Sequence, residues 1–182
     1  MNANDLTQAE IAGRIFKTAE TCPGKGQLIR DFELTSTEGR RVSITDYKGR
    51  FNLVLVFADG RPSSLEFLTG VAKAYGEIRD EQAEVLAVLE CAIQRATRLK
   101  EETRAPFPVL ADADGRMHRL IGAHDSSGQP TMAVYITDRF GEVFVAFREA
   151  EKQSMPTTQE ILGWLTFVNS QCPECSPPEW PM

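Results

Sequence analysis

The sequence predicts an α/β fold in which a mixed β-sheet carries helices on both faces. Two continuous apolar runs, "FNLVLVF" at 51–57 and "AEVLAVLE" at 83–90, are typical of strands that are covered on both sides. Each run is followed by a segment of helical periodicity, and a hairpin pattern precedes a final helix. This alternation favours a layered α/β domain, and 182 residues are enough to build one with a substantial core.

The first half of the chain opens with an amphipathic segment, and turn residues in "TCPGKGQ" end it. Further on, Pro62 suits the first turn of a helix, where its missing N–H costs nothing. We therefore predict, in order, a helix over Leu6–Glu20, two short strands within 29–44 around a turn at Glu38-Gly39, a strand over 51–57, and a helix from Pro62 to about Arg79.

The second half repeats the alternation and ends in a tail that cannot be helical, because four prolines lie in "QCPECSPPEWPM". We predict a strand over 83–90, a charged helix over 93–103, a short strand within 107–112, a short helix within 115–123, a hairpin over 131–147 that turns at Arg139-Phe140-Gly141, and a helix over 157–170 capped by Thr157 or Thr158. The chain thus divides into an N-terminal helix and linker (1–27), one domain (28–170) and a Cys/Pro-rich tail (171–182).

Composition excludes several classes of function. The net charge of −6 and the pI near 5.1 argue against nucleic acid or an anionic membrane as a partner. No apolar run approaches the roughly 18 residues of a membrane helix, and the N-terminus has no secretion-signal pattern. We expect a cytoplasmic protein whose four cysteines are mostly thiols, with no cofactor and no metal site.

Three segments carry a resemblance to a known family. "RDFELTSTEGRRVSITDYKGRFNLVLVF", "APFPVLADADGRMHRLIGA" and "QPTMAVYITDRFGEV" resemble, in this order and spacing, the alkyl hydroperoxide reductase and thiol-specific antioxidant family, the peroxiredoxin-like redoxins. The resemblance covers about residues 28–150. It implies a thioredoxin-like fold of the peroxiredoxin type, an antioxidant or thiol–disulfide oxidoreductase ancestry, and a thioredoxin-like reductant or other protein as partner.

The resemblance breaks at the residues that should react. Family members place a reactive cysteine on the first turn of the helix after the strand that "LVLVF" matches, and here Arg61 stands in that place, before Pro62. The second cysteine of a Cys-x-x-Cys pair would fall on Ser64. A guanidinium offers no nucleophilic lone pair, and a serine without a general base is a poor nucleophile. The usual thiol chemistry is therefore unavailable at this position.

Two interpretations of Arg61 stay open. With the amides and hydroxyls of Ser63 and Ser64 it would form a small anion site at a helix N-terminus. Alternatively it pairs with Asp59 or Glu66, as exposed arginines commonly do. The resemblance further implies that Pro130 faces this site after a cis Gln129-Pro130 bond, the alternative being an ordinary trans proline at a strand start.

The tail carries the Cys-x-x-Cys motif of the chain, Cys172-Pro173-Glu174-Cys175. This spacing suits a redox pair or half of a zinc site, and matching zinc ligands are missing. If the tail folds back over the helix that starts at Pro62, it would supply the missing sulfur. The alternative is a tail that covers apolar surface through Trp180, with the thiols as small packed side chains.

The remaining reactive side chains are expected to have structural roles. Cys91 follows a buried strand and lies at its carboxyl end, where most cysteines fill the core, and Cys22 lies in the linker. We expect His118 and His124 at the surface rather than as bases. Asp112 and Asp114, in "ADADG", are typical of a helix-capping turn.

Two hypotheses for the function follow. The first is a thiol-dependent peroxidase or disulfide oxidoreductase that relies on Cys172 and Cys175. The second is a non-catalytic relative that binds an anion or a protein partner around Arg61. The oligomeric state, a homodimer included, is left open.

Overall fold

The two apolar runs form the central strands of the sheet. In the computed structural model, which describes residues 22–171, β3 (Asn52–Ala58) and β4 (Ala83–Leu89) pair in parallel and are buried along their whole length. Within the described range the other strands are β1 (Glu33–Ser36), β2 (Arg41–Ser43), β5 (Val109–Ala111), β6 (Ala133–Thr137) and β7 (Val143–Arg148).

The sheet is mixed, with the strand order β2-β1-β5-β4-β3-β6-β7. Strands β3, β4 and β5 are parallel, whereas β1, β6 and their hairpin partners β2 and β7 run antiparallel to their neighbours. The predicted turns at Glu38-Gly39 and Arg139-Phe140-Gly141 connect these two hairpins, as expected. The carboxyl ends of β3 and β4 therefore lie side by side at one edge of the sheet.

Helices cover both faces, which confirms the predicted fold class. The five helices of the described residues are α1 (Pro62–Lys73), α2 (Tyr75–Asp80), α3 (Ile93–Thr103), α4 (Arg116–Leu120) and α5 (Thr158–Ser170). Alternate residues of β3 point to opposite sides: Val54 and Val56 pack against α1, α2, α3 and α5, whereas Leu55 and Phe57 pack against α4 and the segment before β1. Burial of these two clusters is the main stabilising contribution of the sheet.

One predicted helix is two. The segment from Pro62 to Arg79 breaks at Ala74, where the backbone leaves the helical region (φ −89°, ψ 3°). The break directs Tyr75 and Arg79 of α2 onto the partly buried carboxylate of Glu84, at 2.7 and 2.8 Å. Tyr75 also packs against Phe107, with ring centroids 5.6 Å apart. The end of α1 therefore coincides with a tertiary contact that the helical periodicity does not indicate.

The predicted cis peptide is wrong, because no peptide bond within residues 22–171 is cis. Pro130 follows a tight turn in which the Asp125 carboxylate accepts hydrogen bonds from the amides of Ser127 and Gln129. The turn places Pro130 opposite His124 in an isolated β-bridge, and the trans bond continues this extended path into β6. The helix predicted over Leu6–Glu20 and the tail cysteines lie outside the described residues.

Candidate functional site

The site lies where β3 ends and α1 begins. Gly60 turns the chain between them with φ at +76°, a conformation that side chains with a Cβ rarely adopt. A Cβ at Gly60 would also lie 3.3 Å from a methyl group of Leu99. Arg61 is then the N-cap residue of α1 and Pro62 its first helical residue, as the sequence predicts.

Asp59 stabilises this turn through hydrogen bonds to its buried carboxylate. Its side chain is 2% exposed. One carboxylate oxygen accepts the backbone N–H of Arg61 at 2.9 Å and the hydroxyl of buried Ser64 at 2.6 Å. The other oxygen accepts a hydrogen bond from Nε of the Arg61 side chain. The arginine is thus held through both its main chain and its side chain.

A second carboxylate holds the outer end of the guanidinium. Glu149 follows β7 and accepts Nη2 of Arg61, and the same oxygen accepts the backbone N–H of Met132 at 3.0 Å. The hydrogen bond to Asp59 is the main cause that raises the pKa of Arg61 above its ordinary value. Of the two interpretations of Arg61, the ion pair with Asp59 is therefore confirmed, and its second partner is Glu149.

The charge balance around Arg61 weakens an anion site. One guanidinium faces two carboxylates, so an added anion would have to displace Glu149 or meet its repulsion. Ser64, which sequence analysis assigned to anion binding, is buried and donates its hydroxyl to Asp59. Ser63 is exposed. Pro130 is half-buried in the turn before β6. Two residues later, the backbone N–H of Met132 donates a hydrogen bond to Glu149, which connects this segment to the Arg61 site.

A buried histidine lies directly behind the site, which corrects the expectation of a surface residue. His118 is fully buried. Its Nδ1 lies 2.8 Å from Asp112, and its Nε2 lies 3.3 Å from the carbonyl oxygen of Ala58, the last residue of β3. The Phe57 ring contacts the imidazole edge to face at 5.4 Å between centroids.

Asp112 is the anionic partner in this pair. Burial raises the pKa of Asp112, but hydrogen bonds from the His118 ring and from the amides of His118 and Met117 outweigh it, so the pKa lies below its ordinary value. The aspartate accepts the backbone N–H of His118 on α4 at 2.9 Å. The N-cap residue of α4 is Gly115 and has no side-chain cap, so Asp112 stabilises the first turn of the helix without being its N-cap.

His124 and Glu90 continue the network toward solvent. Nε2 of His124 lies 2.6 Å from Glu90, and the two imidazole rings stack with centroids 6.3 Å apart. His124 is half-buried rather than free at the surface. In residues 22–171, no cluster of three or more acidic, cysteine or histidine side chains is arranged to hold a metal ion.

The structure describes two of the four cysteines of the chain. Burial raises the pKa of Cys91, which lies just beyond the carboxyl end of β4 as predicted. The side chain of Cys22 fills the space that a Cβ on Gly122 would occupy, on the α4 side of the sheet. Both cysteines are free thiols.

The predicted pair Cys172 and Cys175 lies outside the described residues, so a sulfur supplied by the tail to the Arg61 site stays a prediction. The described end of the chain lies near the opposite end of β3 from Arg61. Asn169, near the end of α5, bonds to Asn52 at the start of β3, whereas Arg61 follows the other end of that strand. Seven residues of strand span about 20 Å.

Comparison with known proteins decides the family. The sequence model of the AhpC/TSA family matches residues 25–146, two thirds of the chain. The chain belongs to the AhpC/TSA family. Peroxiredoxin Q of the chloroplast from Oryza sativa subsp. japonica is 26% identical over 122 residues, which cover 65% of this chain and 56% of the rice protein. The match therefore spans little more than half of that relative.

Solved structures agree on the thioredoxin-like fold of the AhpC/TSA family. Peroxidoxin BcpB from Mycobacterium tuberculosis superimposes with a TM-score of 0.71 at 18% identity, covering 81% of this chain and 99% of its own. A cysteine-to-serine mutant of PrxQ from Xylella fastidiosa gives 0.70 at 15% identity, covering 82% and 99%. Among residues 22–171, no helix is long and apolar enough to cross a membrane.

Sequence reasoning missed two parts of this site. Glu149 lies 88 positions from Arg61, and nothing local in "REAEKQ" indicates that it closes the ion pair. The Asp112–His118 pair had a weak signal, because an aspartate six residues before a histidine on a short helix fits a capping contact. Burial of the ring could not be inferred, since Phe57 and Ala58 come from a distant strand.

Proposed function

We propose that this AhpC/TSA-family protein is a non-catalytic member that binds a protein partner through the surface around Arg61. The observation that carries the proposal is that Arg61 is the N-cap residue of α1. A cation held by Asp59 and Glu149 stands where the family resemblance places a thiolate. A peroxide needs an electron-rich sulfur at this position, and none of the described thiols lies there.

A protein partner suits the site better than a free anion. Arg61 and Glu149 are both partly exposed, at 50% and 39% of their side chains, and their mutual ion pair fixes them as adjacent charges of opposite sign. Such a fixed pattern gives specificity in a protein interface, where charges of the partner must match it. An anion, by contrast, meets the net negative balance of the two carboxylates.

The partner hypothesis is tested by charge reversal. Arg61→Glu should abolish retention of the partner in a pull-down with the whole chain, whereas Arg98→Glu, an exposed arginine on α3, should leave it unchanged. Circular dichroism confirms that both variants are folded. Equal retention by the two variants would contradict a role of the Arg61 surface.

A second candidate function rests on the Cys-x-x-Cys spacing in the tail. In this case Cys172 and Cys175 form a dithiol–disulfide centre that exchanges with a thioredoxin-like reductant. Steady-state consumption of hydrogen peroxide and of a protein disulfide distinguishes the two functions. Turnover that is lost in both Cys172→Ser and Cys175→Ser supports the second, and no turnover by the wild type supports the first.

A further inference from the structure

An aromatic groove on α5 is an apolar surface feature that the Arg61 site does not involve. We define the groove by Lys25, Glu160, Gly163, Trp164 and Phe167, which line an open volume of about 390 Å³. Phe167 is 45% exposed, and no other large hydrophobic side chain within residues 22–171 is as open to solvent. Exposed apolar patches of this kind commonly mark a binding surface.

The groove is preformed. The Phe167 ring meets the rings of Trp164 and Phe144 edge to face, with centroids 5.8 and 6.3 Å apart. Glu160 is turned to the amide and hydroxyl of Thr157, in the capping box that starts α5. Lys25 therefore supplies the positive charge at the groove, while the aromatic rings supply its apolar floor.

We propose that this groove holds the proline-rich tail of the same chain, residues 172–182, in an extended conformation. Four prolines, Trp180 and two glutamates are found in these eleven residues. Proline-rich segments bind aromatic-lined grooves because their polyproline II conformation loses little entropy on docking. The glutamates complement Lys25, and Trp180 supplies the aromatic side chain that the groove can accept.

The exit of the chain from α5 supports this occupant. Gln171, the last described residue, has φ −78° and ψ 137°, which is close to polyproline II. Phe167 lies in the final turn of α5, so the tail begins about one turn from the groove. Eleven residues of polyproline II extend about 34 Å, whereas the 13 residues of α5 are about 20 Å long. The tail is long enough to return along the helix.

The other free end of the chain is the alternative occupant. Cys22 lies against Gly122, and Pro23 lines a cavity with Leu120 and Ile121 on the α4 side of the sheet. Lys25, three residues after Cys22, lines the groove itself. The proline content and the exit of the chain beside Phe167 favour residues 172–182, and the deletions below separate the two segments.

Tryptophan fluorescence tests the proposal on the full chain. Trp164→Phe leaves Trp180 as the single tryptophan. We expect its emission to be blue-shifted, and less quenched by acrylamide, than that of a synthetic peptide of residues 171–182. Adding Phe167→Ala should restore the values of the peptide, whereas adding Gln159→Ala, an exposed position on α5, should not. Peptide-like emission in the single variant would overturn the proposal.

Two further outcomes separate the other occupants. A blue shift that increases with protein concentration would show that a second copy supplies the tail, and would overturn docking within one chain. In a Trp180→Phe variant, Trp164 reports from the groove itself. Deletion of residues 172–182 should increase quenching of Trp164, and deletion of residues 1–21 should not; the reverse result would assign the groove to the N-terminal segment.

Discussion

At the scale of single residues, the side chain at the N-cap of α1 decides what this site can do. A helix N-terminus stabilises a thiolate through its free amides and dipole. Arg61 occupies that position, and the surrounding acids have the arrangement that suits a cation. The sequence predicts the missing nucleophile and gives pairing with Asp59 or Glu66 as one of two interpretations of Arg61. It does not predict Glu149, because the contact depends on how β7 ends.

Restoring the cysteine should therefore not restore the reactivity. In a background with all four native cysteines replaced by serine, the thiol of Arg61→Cys faces Asp59 and Glu149, and like charge disfavours the thiolate. We expect the thiol to alkylate slowly with iodoacetamide at pH 7. Adding Glu149→Gln removes one carboxylate and should accelerate alkylation about tenfold. A fast reaction of the single variant would contradict the proposed electrostatics of the site.

The buried Asp112–His118 pair predicts a pH dependence of stability. The pKa of Asp112 is lower in the folded protein than its ordinary value. The carboxylate therefore stabilises the fold above about pH 4, and this stabilisation is lost as the pH falls toward the folded pKa.

Asp112→Asn should lower the free energy of unfolding by about 3 kcal/mol at pH 7, because the pair is fully buried. Urea titrations between pH 7 and pH 3 measure this difference. It should become smaller below about pH 4. The exposed Asp114→Asn variant is the matched control, with little expected effect. A difference that is constant with pH would contradict the assignment of the charge to Asp112.

At the scale of elements, local signals predicted the helices and strands where packing agrees with them. The capping pattern at the start of α5 is an example, since Thr157 and Glu160 bond to each other's backbone amides. These bonds also lower the pKa of Glu160. The end of α1 at Lys73 was not predictable in the same way, because it coincides with the contact of Tyr75 with Glu84, which has no signal in the helical periodicity.

The capping box makes a prediction about α5. Thr157→Ala removes the hydroxyl that accepts the amide of Glu160, and should destabilise the protein by about 1 kcal/mol. Chemical denaturation followed by circular dichroism measures the change. Gln159→Ala, exposed on the same turn, should change the stability by less than about half of this amount. Equal effects of the two substitutions would show that the cap contributes nothing specific.

At the scale of the whole molecule, the order of apolar runs and turns was sufficient to predict the sheet and the helices on its two faces. The fold alone does not determine the function, since the chain has the fold of the AhpC/TSA family while the N-cap of its α1 holds a cation. Strand β3 also separates the Arg61 site from the described end of the chain. Arg61 follows one end of β3, and the tail leaves near the other.

The central claim is that the native fold gives no thiol of this chain an accelerated reaction with peroxide. The most direct test is the second-order rate constant with hydrogen peroxide, measured per thiol on the reduced wild-type protein and on the same protein unfolded in denaturant. We predict that the native protein reacts no faster than the unfolded chain. A native rate constant about a hundredfold or more above the unfolded value would contradict the account, because it would require a thiolate activated by the fold.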